Sequence, residues 1–145
     1  MPVHSETRKL PYSADQMYDL VADISAYPQF LPWCSAARIR SRTTQGECET
    51  VEADLVISFK VFRESFASRV ELWNMAKKID TQYLEGPFKH MKSSWEFVDT
   101  PSGCDVRFFV DFEFKNAILR SIIGVVFNEA MQRIVRAFES RAEML

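Results

Sequence analysis

The spacing of apolar residues changes near residue 115, and this change is the strongest constraint on the fold. From Ala36 to Lys115 apolar residues alternate with polar ones, which is the period-2 pattern of half-buried strands. After Asn116, which can cap a helix, they recur with a period of 3.6 and predict one helix of about 30 residues. Such a helix is about 40 Å long, so it must lie across the sheet and cover its apolar face.

Alternation in this central region predicts strands with one covered face and one solvated face, which is typical of an antiparallel sheet. The clearest strand runs from Cys104 to Phe114 and follows a turn at Pro101-Ser102-Gly103. The predicted inward positions of the other strands are Val51, Ala53, Leu55, Ile57 and Phe59; Phe66, Ser68, Val70 and Leu72; Ile79, Thr81 and Tyr83; and Met91, Ser93, Trp95 and Phe97.

The first part of the chain predicts one strand and two short helices. Val3 to Leu10 alternates weakly, as an edge strand does. Ser13 followed by Gln16 is the capping-box spacing and predicts a helix from Ala14 to Ala22. A second short helix is expected to be capped by Ser25, to carry Pro28 in its first turn and to end at Pro32.

Composition is typical of a soluble globular protein. The chain has 145 residues with 47% hydrophobic and 26% charged, so we expect one domain over residues 1–145. The net charge of -2 gives no general attraction to phosphate backbones, and no DNA partner is expected. No secretory signal or membrane-spanning segment is evident, so we expect a cytoplasmic protein, with peripheral contact at the inner membrane as one possibility.

No motif indicates catalysis or a metal site. Cys34, Cys48 and Cys104 are widely spaced without a CxxC pair, which favours small reduced hydrophobic side chains. His90 has no HxH or HExxH partner, and no nucleophile elbow or phosphate-binding loop occurs. We therefore expect no catalytic residues, no metal ligands and no enzymatic activity.

Two local motifs add to the order of elements. Residues 27–34 read Tyr-Pro-Gln-Phe-Leu-Pro-Trp-Cys, and residues 84–91 read Leu-Glu-Gly-Pro-Phe-Lys-His-Met, followed by Trp95-Glu96-Phe97. Both resemble signatures of the coenzyme Q-binding START-domain family, within the polyketide cyclase/dehydrase-like superfamily. The resemblance covers nearly the whole chain. It implies an α+β helix-grip (START/Bet v 1-like) fold, with a curved antiparallel sheet of six to seven strands around the terminal helix.

The resemblance also implies a function. Members of the family bind ubiquinone or a similar isoprenoid lipid, without a covalent cofactor, and support respiration or quinone biosynthesis. The same family includes ribosome-association toxins, which bind the large ribosomal subunit and block subunit joining. A third alternative is a polyketide cyclase or aromatase, which the lack of an acid–base cluster makes the weakest. The motifs do not separate the first two functions.

A quinone carrier would need an apolar slot between the sheet and the terminal helix. The segment Phe30-Leu31-Pro32-Trp33 is a candidate pocket lip, because aromatic and branched groups beside a proline offer apolar area at low ordering cost. Ordinary core packing of the same residues is an equally good interpretation. The remaining candidate ligand-binding residues are Leu55, Phe66, Phe88, Trp95, Phe108, Val110, Phe112, Ile123, Phe127 and Met131.

Three further features have alternative interpretations. Phe88, after Gly86-Pro87, is either a gate over the open end of the fold or part of a plain hairpin. Arg38, Arg40 and Arg42 have period-2 spacing and predict a basic row on one strand face. That row is either a solvated edge or a contact for phosphates of a membrane surface or ribosomal RNA. Gly124 either leaves room for a ligand or lets a strand approach the helix.

Overall fold

A long helix packs on the inner face of a curved antiparallel sheet. The computed structural model describes residues 3–59 and 62–144. In chain order the elements are β1 (Val3–Leu10), α1 (Ala14–Ala22), a 3-10 helix (Ile24–Gln29), β2 (Cys34–Gln45), β3 (Cys48–Phe59), β4 (Phe62–Trp73), β5 (Lys78–Glu85), β6 (Phe88–Thr100), β7 (Gly103–Phe114) and α2 (Ala117–Glu143). The described strands form a seven-stranded sheet in the order β1-β7-β6-β5-β4-β3-β2. The predicted α+β helix-grip fold is confirmed.

Helix capping follows the sequence at α1 and α2 but not at the 3-10 helix. The Ser13 hydroxyl accepts from the Gln16 amide while the Gln16 side chain accepts from the Ser13 amide, so the capping box is complete. The Asn116 side chain accepts from the first amides of α2. The prediction of Ser25 as a cap is wrong, because Ser25 lies inside the 3-10 helix and donates its hydroxyl hydrogen bond to Asp23.

Within the described strands, four register irregularities bend the sheet around the helix. Each leaves one residue without an opposite partner on the neighbouring strand: Ser35 and Arg40 in β2, Leu84 in β5 and Lys89 in β6. An unpaired residue of this kind bends its strand and increases the local twist. The bends turn the inner faces of β3 to β6 toward α2 and leave space between sheet and helix.

The core follows the predicted alternation. On β7 the inward side chains from Cys104 to Phe114 are buried, and α2 buries Leu119, Phe127, Met131 and Phe138 on the facing side. The sequence patterns also place Phe59, Val126 and Leu145 inward. The structure does not describe the side chains of Phe59 and Val126 or any part of Leu145.

Polar side chains tie β1 to α2 at one edge of the sheet. Buried His4 donates from Nε2 to the Glu6 carboxylate, and Glu6 also accepts a hydrogen bond from Arg8. Arg8 also donates to Glu139 of α2 at 2.6 Å, and the other nitrogen of His4 lies 3.4 Å from the Asn128 side-chain oxygen. These partly buried, charge-assisted contacts fix α2 on the β1 side of the sheet.

Candidate functional site

A cavity of about 270 Å³ lies between the inner face of the sheet and α2. Strands β3 to β7, α2 and the segment joining the 3-10 helix to β2 enclose it. Most of the lining is apolar, and its most buried side chains come from the strands, the 3-10 helix and α2. The described residues around it are Ile24, Tyr27, Leu31, Pro32, Trp33, Cys34, Leu55, Ile57, Phe66, Ser68, Val70, Ile79, Thr81, Phe88, Met91, Ser93, Trp95, Phe108, Val110, Phe112, Phe114, Ile123, Ala130, Met131, Ile134 and Phe138.

Most of the residues predicted to bind a ligand meet at this cavity. The structure brings together Leu31, Pro32, Trp33, Leu55, Phe66, Phe88, Trp95, Phe108, Val110, Phe112, Ile123 and Met131. Their role in ligand binding stays a prediction, because the same side chains also form the core.

Phe30 and Phe127 are not part of the described lining, contrary to the prediction. The Phe30 ring packs edge-on against Tyr27 and Phe138, and the Arg141 guanidinium lies 5.2 Å from its centroid. Phe127 is buried against His4 and Phe112 on the β1 side. Periodicity correctly places both side chains inward. It does not show whether an inward side chain packs against neighbours or borders an empty space.

The first motif both packs against α2 and borders the cavity. Tyr27 donates its hydroxyl hydrogen bond to the Val21 carbonyl, and burial raises the pKa of this phenol above its usual range. The rings of Tyr27 and Phe30 both pack against Phe138, and this contact holds the motif on α2. Tyr27 and the residues from Leu31 to Cys34 border the cavity. The motif thus anchors this segment on α2 and forms part of the cavity wall.

Trp33 has an unusual backbone conformation for a bulky residue. Its φ is 65°, in the left-handed region, and its carbonyl accepts a hydrogen bond of 2.8 Å from the Ser58 amide of β3. The Arg133 guanidinium of α2 lies 5.3 Å from the indole centroid. The indole is held between cavity and helix by these contacts.

In the second motif, Phe88 is a buried residue of the cavity wall, and the structure does not place it in a loop over the open end of the fold. It begins β6, is 3% exposed and packs against Phe66, Phe112 and Phe114. Gly86 precedes it with φ 142°, and a Cβ there would lie 2.6 Å from the Cβ of Phe66. Glycine is therefore required where the chain turns against β4.

Three hydroxyl residues, Ser68, Thr81 and Ser93, line the cavity from three adjacent strands. Sequence alternation had placed them at inward positions, and a hydroxyl at such a position is the signal that could have marked them as site residues. No Asp, Glu, His, Lys or Arg belongs to the described lining. Burial also raises the pKa of the Cys34 thiol, which keeps it neutral near pH 7.

The basic row predicted on β2 is not present as one face. Arg38 lies opposite Asp54, whereas Arg42 lies opposite the fully buried Val51, because the irregularity at Arg40 reverses the side on which later residues point. Arg40 donates to Asp54 at 2.7 Å and to Glu85. Arg42 forms a longer ion pair with Glu49. Of these three arginines, only Arg38 has no ion pair within the described residues, and it is exposed on its strand face.

Residues 3–59 and 62–144 contain neither of two other classes of site. No three His, Cys, Asp or Glu side chains come together there in a way that could hold a metal ion. None of the described helices has the length and apolar character needed to cross a bilayer.

Comparison with known proteins identifies the family. The profile described as polyketide cyclase / dehydrase and lipid transport matches residues 10–139. Ribosome association toxin RatA of Rickettsia prowazekii is 41% identical over 140 residues, which cover 94% of this chain and 93% of that protein. Coenzyme Q-binding protein COQ10 homolog B, mitochondrial, of Xenopus laevis is 31% identical over 144 residues, covering 96% of this chain and 57% of that protein.

A solved structure shows the same relationship in three dimensions. The 18 kDa protein CC1736 of Caulobacter crescentus superposes with a TM-score of 0.83 at 35% identity, covering 99% of this chain and 97% of that one. The two motifs at residues 27–34 and 84–91 had indicated this START-like relationship, and it is confirmed. The chain belongs to the polyketide cyclase / dehydrase and lipid transport family.

Proposed function

We propose that the protein binds an isoprenoid quinone such as ubiquinone, or a related isoprenoid lipid, in the cavity and carries it without chemical change. The cavity of about 270 Å³ between sheet and α2 is the observation that carries this proposal. Its apolar walls would remove the lipid from water, and each buried methylene would contribute about 0.8 kcal/mol. A relative named for coenzyme Q binding supports the choice of ligand.

Cavity size sets how much of the lipid is enclosed. Small-molecule pockets commonly hold about 300–1,000 Å³, and this cavity, at about 270 Å³, is slightly smaller than that range. A quinone ring with the first part of its tail would fill it, and a longer tail would extend outside. A carrier of this kind exchanges its ligand with a membrane, so we expect a cytoplasmic protein with peripheral contact at the inner membrane.

Lipid extraction of the purified protein followed by mass spectrometry tests the proposal. The wild-type extract should contain an isoprenoid quinone. Ala130 is buried on α2 and lines the cavity, so Ala130→Leu should fill the space and reduce the bound lipid. Ala117→Leu adds the same group at an exposed position of the same helix and should leave the lipid unchanged. Repeated absence of quinone from wild type, even after incubation with excess lipid, would contradict the proposal.

A second candidate is association with the large ribosomal subunit, as a toxin that blocks subunit joining. The supporting observation is that a relative covering nearly the whole chain at 41% identity is named a ribosome association toxin. Binding to ribosomal RNA would weaken steeply with salt, because each phosphate contact releases counterions. Co-sedimentation with large subunits over a series of salt concentrations tests this function. Absence of binding, or binding that does not change with salt concentration, would contradict this second candidate function.

The cyclase or aromatase alternative has weaker support. Acid–base catalysis needs a titratable group within hydrogen-bond reach of the reacting atoms. The described lining offers hydroxyls, the Cys34 thiol and the Tyr27 phenol, and the pKa values of the thiol and the phenol are both raised by burial. The cavity therefore favours binding over proton transfer near neutral pH.

A further inference from the structure

The three hydroxyl residues of the cavity lie close together on the sheet. Thr81 of β5 is directly opposite Ser93 of β6. Ser68 of β4 is opposite Tyr83, one inward position along from Thr81, so Ser68 and Thr81 are diagonal neighbours. Directly opposed residues on one face have Cβ atoms about 4.5–5.5 Å apart, and diagonal neighbours about 7–8 Å. One ring-sized group can reach all three hydroxyls.

These hydroxyls have apolar neighbours along their strands and no hydrogen-bond partner among the residues that the structure describes. Ser68 is 3% exposed and lies between Phe66 and Val70 on its strand, while Ser93 lies between Met91 and Trp95. Within the described residues, none of the three side chains makes a hydrogen bond. A buried hydroxyl without a partner destabilises the fold relative to an apolar side chain of similar size. Their unused hydrogen-bonding capacity faces the cavity.

The rest of the lining limits the charge of what can bind there. No charged side chain belongs to the described wall, so a carboxylate or phosphate inside would be desolvated without a counter-charge. A neutral group with carbonyl or ether oxygens has no such penalty. It can accept hydrogen bonds from hydroxyls, which serve as donors as well as acceptors.

We propose that Ser68, Thr81 and Ser93 form a head-group site for a neutral, oxygen-bearing ring, and that this site excludes charged amphiphiles. This inference rests on the proposed lipid-binding function and deepens it. Ser68 is deeply buried, whereas the lining residues Leu31 and Ile123 are partly exposed. We expect the ring to lie against the hydroxyls with its inner edge at Ser68, and the apolar tail to leave the cavity past Leu31 and Ile123.

Titration of delipidated protein by calorimetry with three ligands tests the site. Decylubiquinone carries ring oxygens, decylbenzene lacks them, and ionised decanoate places a charge at the head. In wild type we expect decylubiquinone to bind at least about tenfold more tightly than either of the others, since several hydrogen bonds are added. This comparison needs no variant and so does not depend on the folding of one.

Variants assign the preference to the hydroxyls. Ser68→Ala, Thr81→Val and Ser93→Ala should each weaken decylubiquinone binding about threefold to tenfold and leave decylbenzene binding unchanged. Ser94→Ala is the matched control, because Ser94 follows Ser93 on β6 and points to the other face of the sheet. Its decylubiquinone affinity should not change.

The outcomes separate this inference from the proposed function. If wild type binds decylbenzene or decanoate as tightly as decylubiquinone, the head-group site is refuted while lipid binding stands. The same conclusion follows if the hydroxyl variants weaken both neutral ligands equally, or if Ser94→Ala has as large an effect as Ser93→Ala. If wild type binds none of the three ligands, both the inference and the lipid-binding function fail.

Discussion

The guanidinium of Arg133 lies over the indole of Trp33, 5.3 Å from the ring centroid, and joins α2 to the segment that borders the cavity. Arg133 is exposed on the outer part of the helix, whereas Trp33 contributes to the cavity wall. An exposed cation–π contact contributes about 0.5–1 kcal/mol, which is weak enough to break and re-form during ligand exchange.

Removing this contact should speed ligand exchange. Arg133→Met keeps an unbranched apolar side chain but loses the charge, so we expect ligand release to become about twofold to fivefold faster, in line with a contact of about 0.5–1 kcal/mol. Stopped-flow transfer of decylubiquinone to vesicles measures the rate. Arg136→Met is the control, because the Arg136 side chain is exposed and bonds to the Gln132 carbonyl of its own helix. Equal rates for both variants would show that the Trp33 contact has no role.

Replacing Gly124 should stabilise the protein. A Cβ at this exposed helix position meets nothing within 4 Å, so neither a ligand space nor a close strand explains the glycine. Gly124→Ala should raise the free energy of unfolding by about 0.5–1 kcal/mol, because alanine restricts the unfolded chain more. Gly86→Ala should be strongly destabilising, since its Cβ would overlap Phe66. Urea denaturation of both variants distinguishes these effects, and a destabilised Gly124→Ala would contradict the first.

Alkaline pH should destabilise the fold through two tyrosines. Burial raises the pKa of Tyr18 from 10.0 to about 12 and that of Tyr27 further. The folded protein therefore keeps protons that the unfolded chain releases. The two tyrosines therefore contribute fully to the free energy of unfolding below about pH 10, and this contribution is lost as the pH rises toward their folded-state pKa values. Denaturation at pH 8 to 11.5 should show this fall, and Tyr18→Phe should make it shallower without a comparable change at pH 8.

Cys34 should report occupancy of the cavity. Burial raises the pKa of its thiol, so little reactive thiolate is present near pH 8. We expect alkylation by an apolar maleimide to be slower than in the urea-unfolded chain, and slower still once decylubiquinone is bound. Cys48 and Cys104 are buried and should react after Cys34 in the folded protein. Labelling followed by peptide mass spectrometry gives the order, and ligand-independent labelling of Cys34 would place the ligand elsewhere.

Local signals in the sequence were sufficient for most of the fold. Alternation from Cys104 to Phe114 and the capping pair Ser13 and Gln16 depend on residues near each other in the chain, and both are present as expected. The irregularity at Arg40 is different, because it depends on how β2 bends against β3. No period-2 pattern contains that information, so the predicted basic row was wrong.

The candidate site was predictable in composition but not in shape. Inward residues such as Trp95 and Phe108 were identified by alternation, yet a filled core and a cavity use the same residue types. Phe127 illustrates the limit, because its neighbours His4 and Phe112 come from distant parts of the chain. Whether an inward side chain meets a neighbour or a void is decided by tertiary packing.

The bonds from Arg8 to Glu139 and from His4 to Asn128 anchor one long side of α2 to the edge strand β1. The other side of the helix contacts residues 27–33 mainly through rings, with Phe138 packed against Tyr27 and Phe30 and with Arg133 and Arg141 over the rings of Trp33 and Phe30. Ring contacts depend less on exact geometry than charge-assisted hydrogen bonds do, so the two sides of the helix differ in how they resist displacement. We therefore expect α2 to shift mainly on the side of residues 27–33 when a guest molecule enters, while its β1 side stays in place.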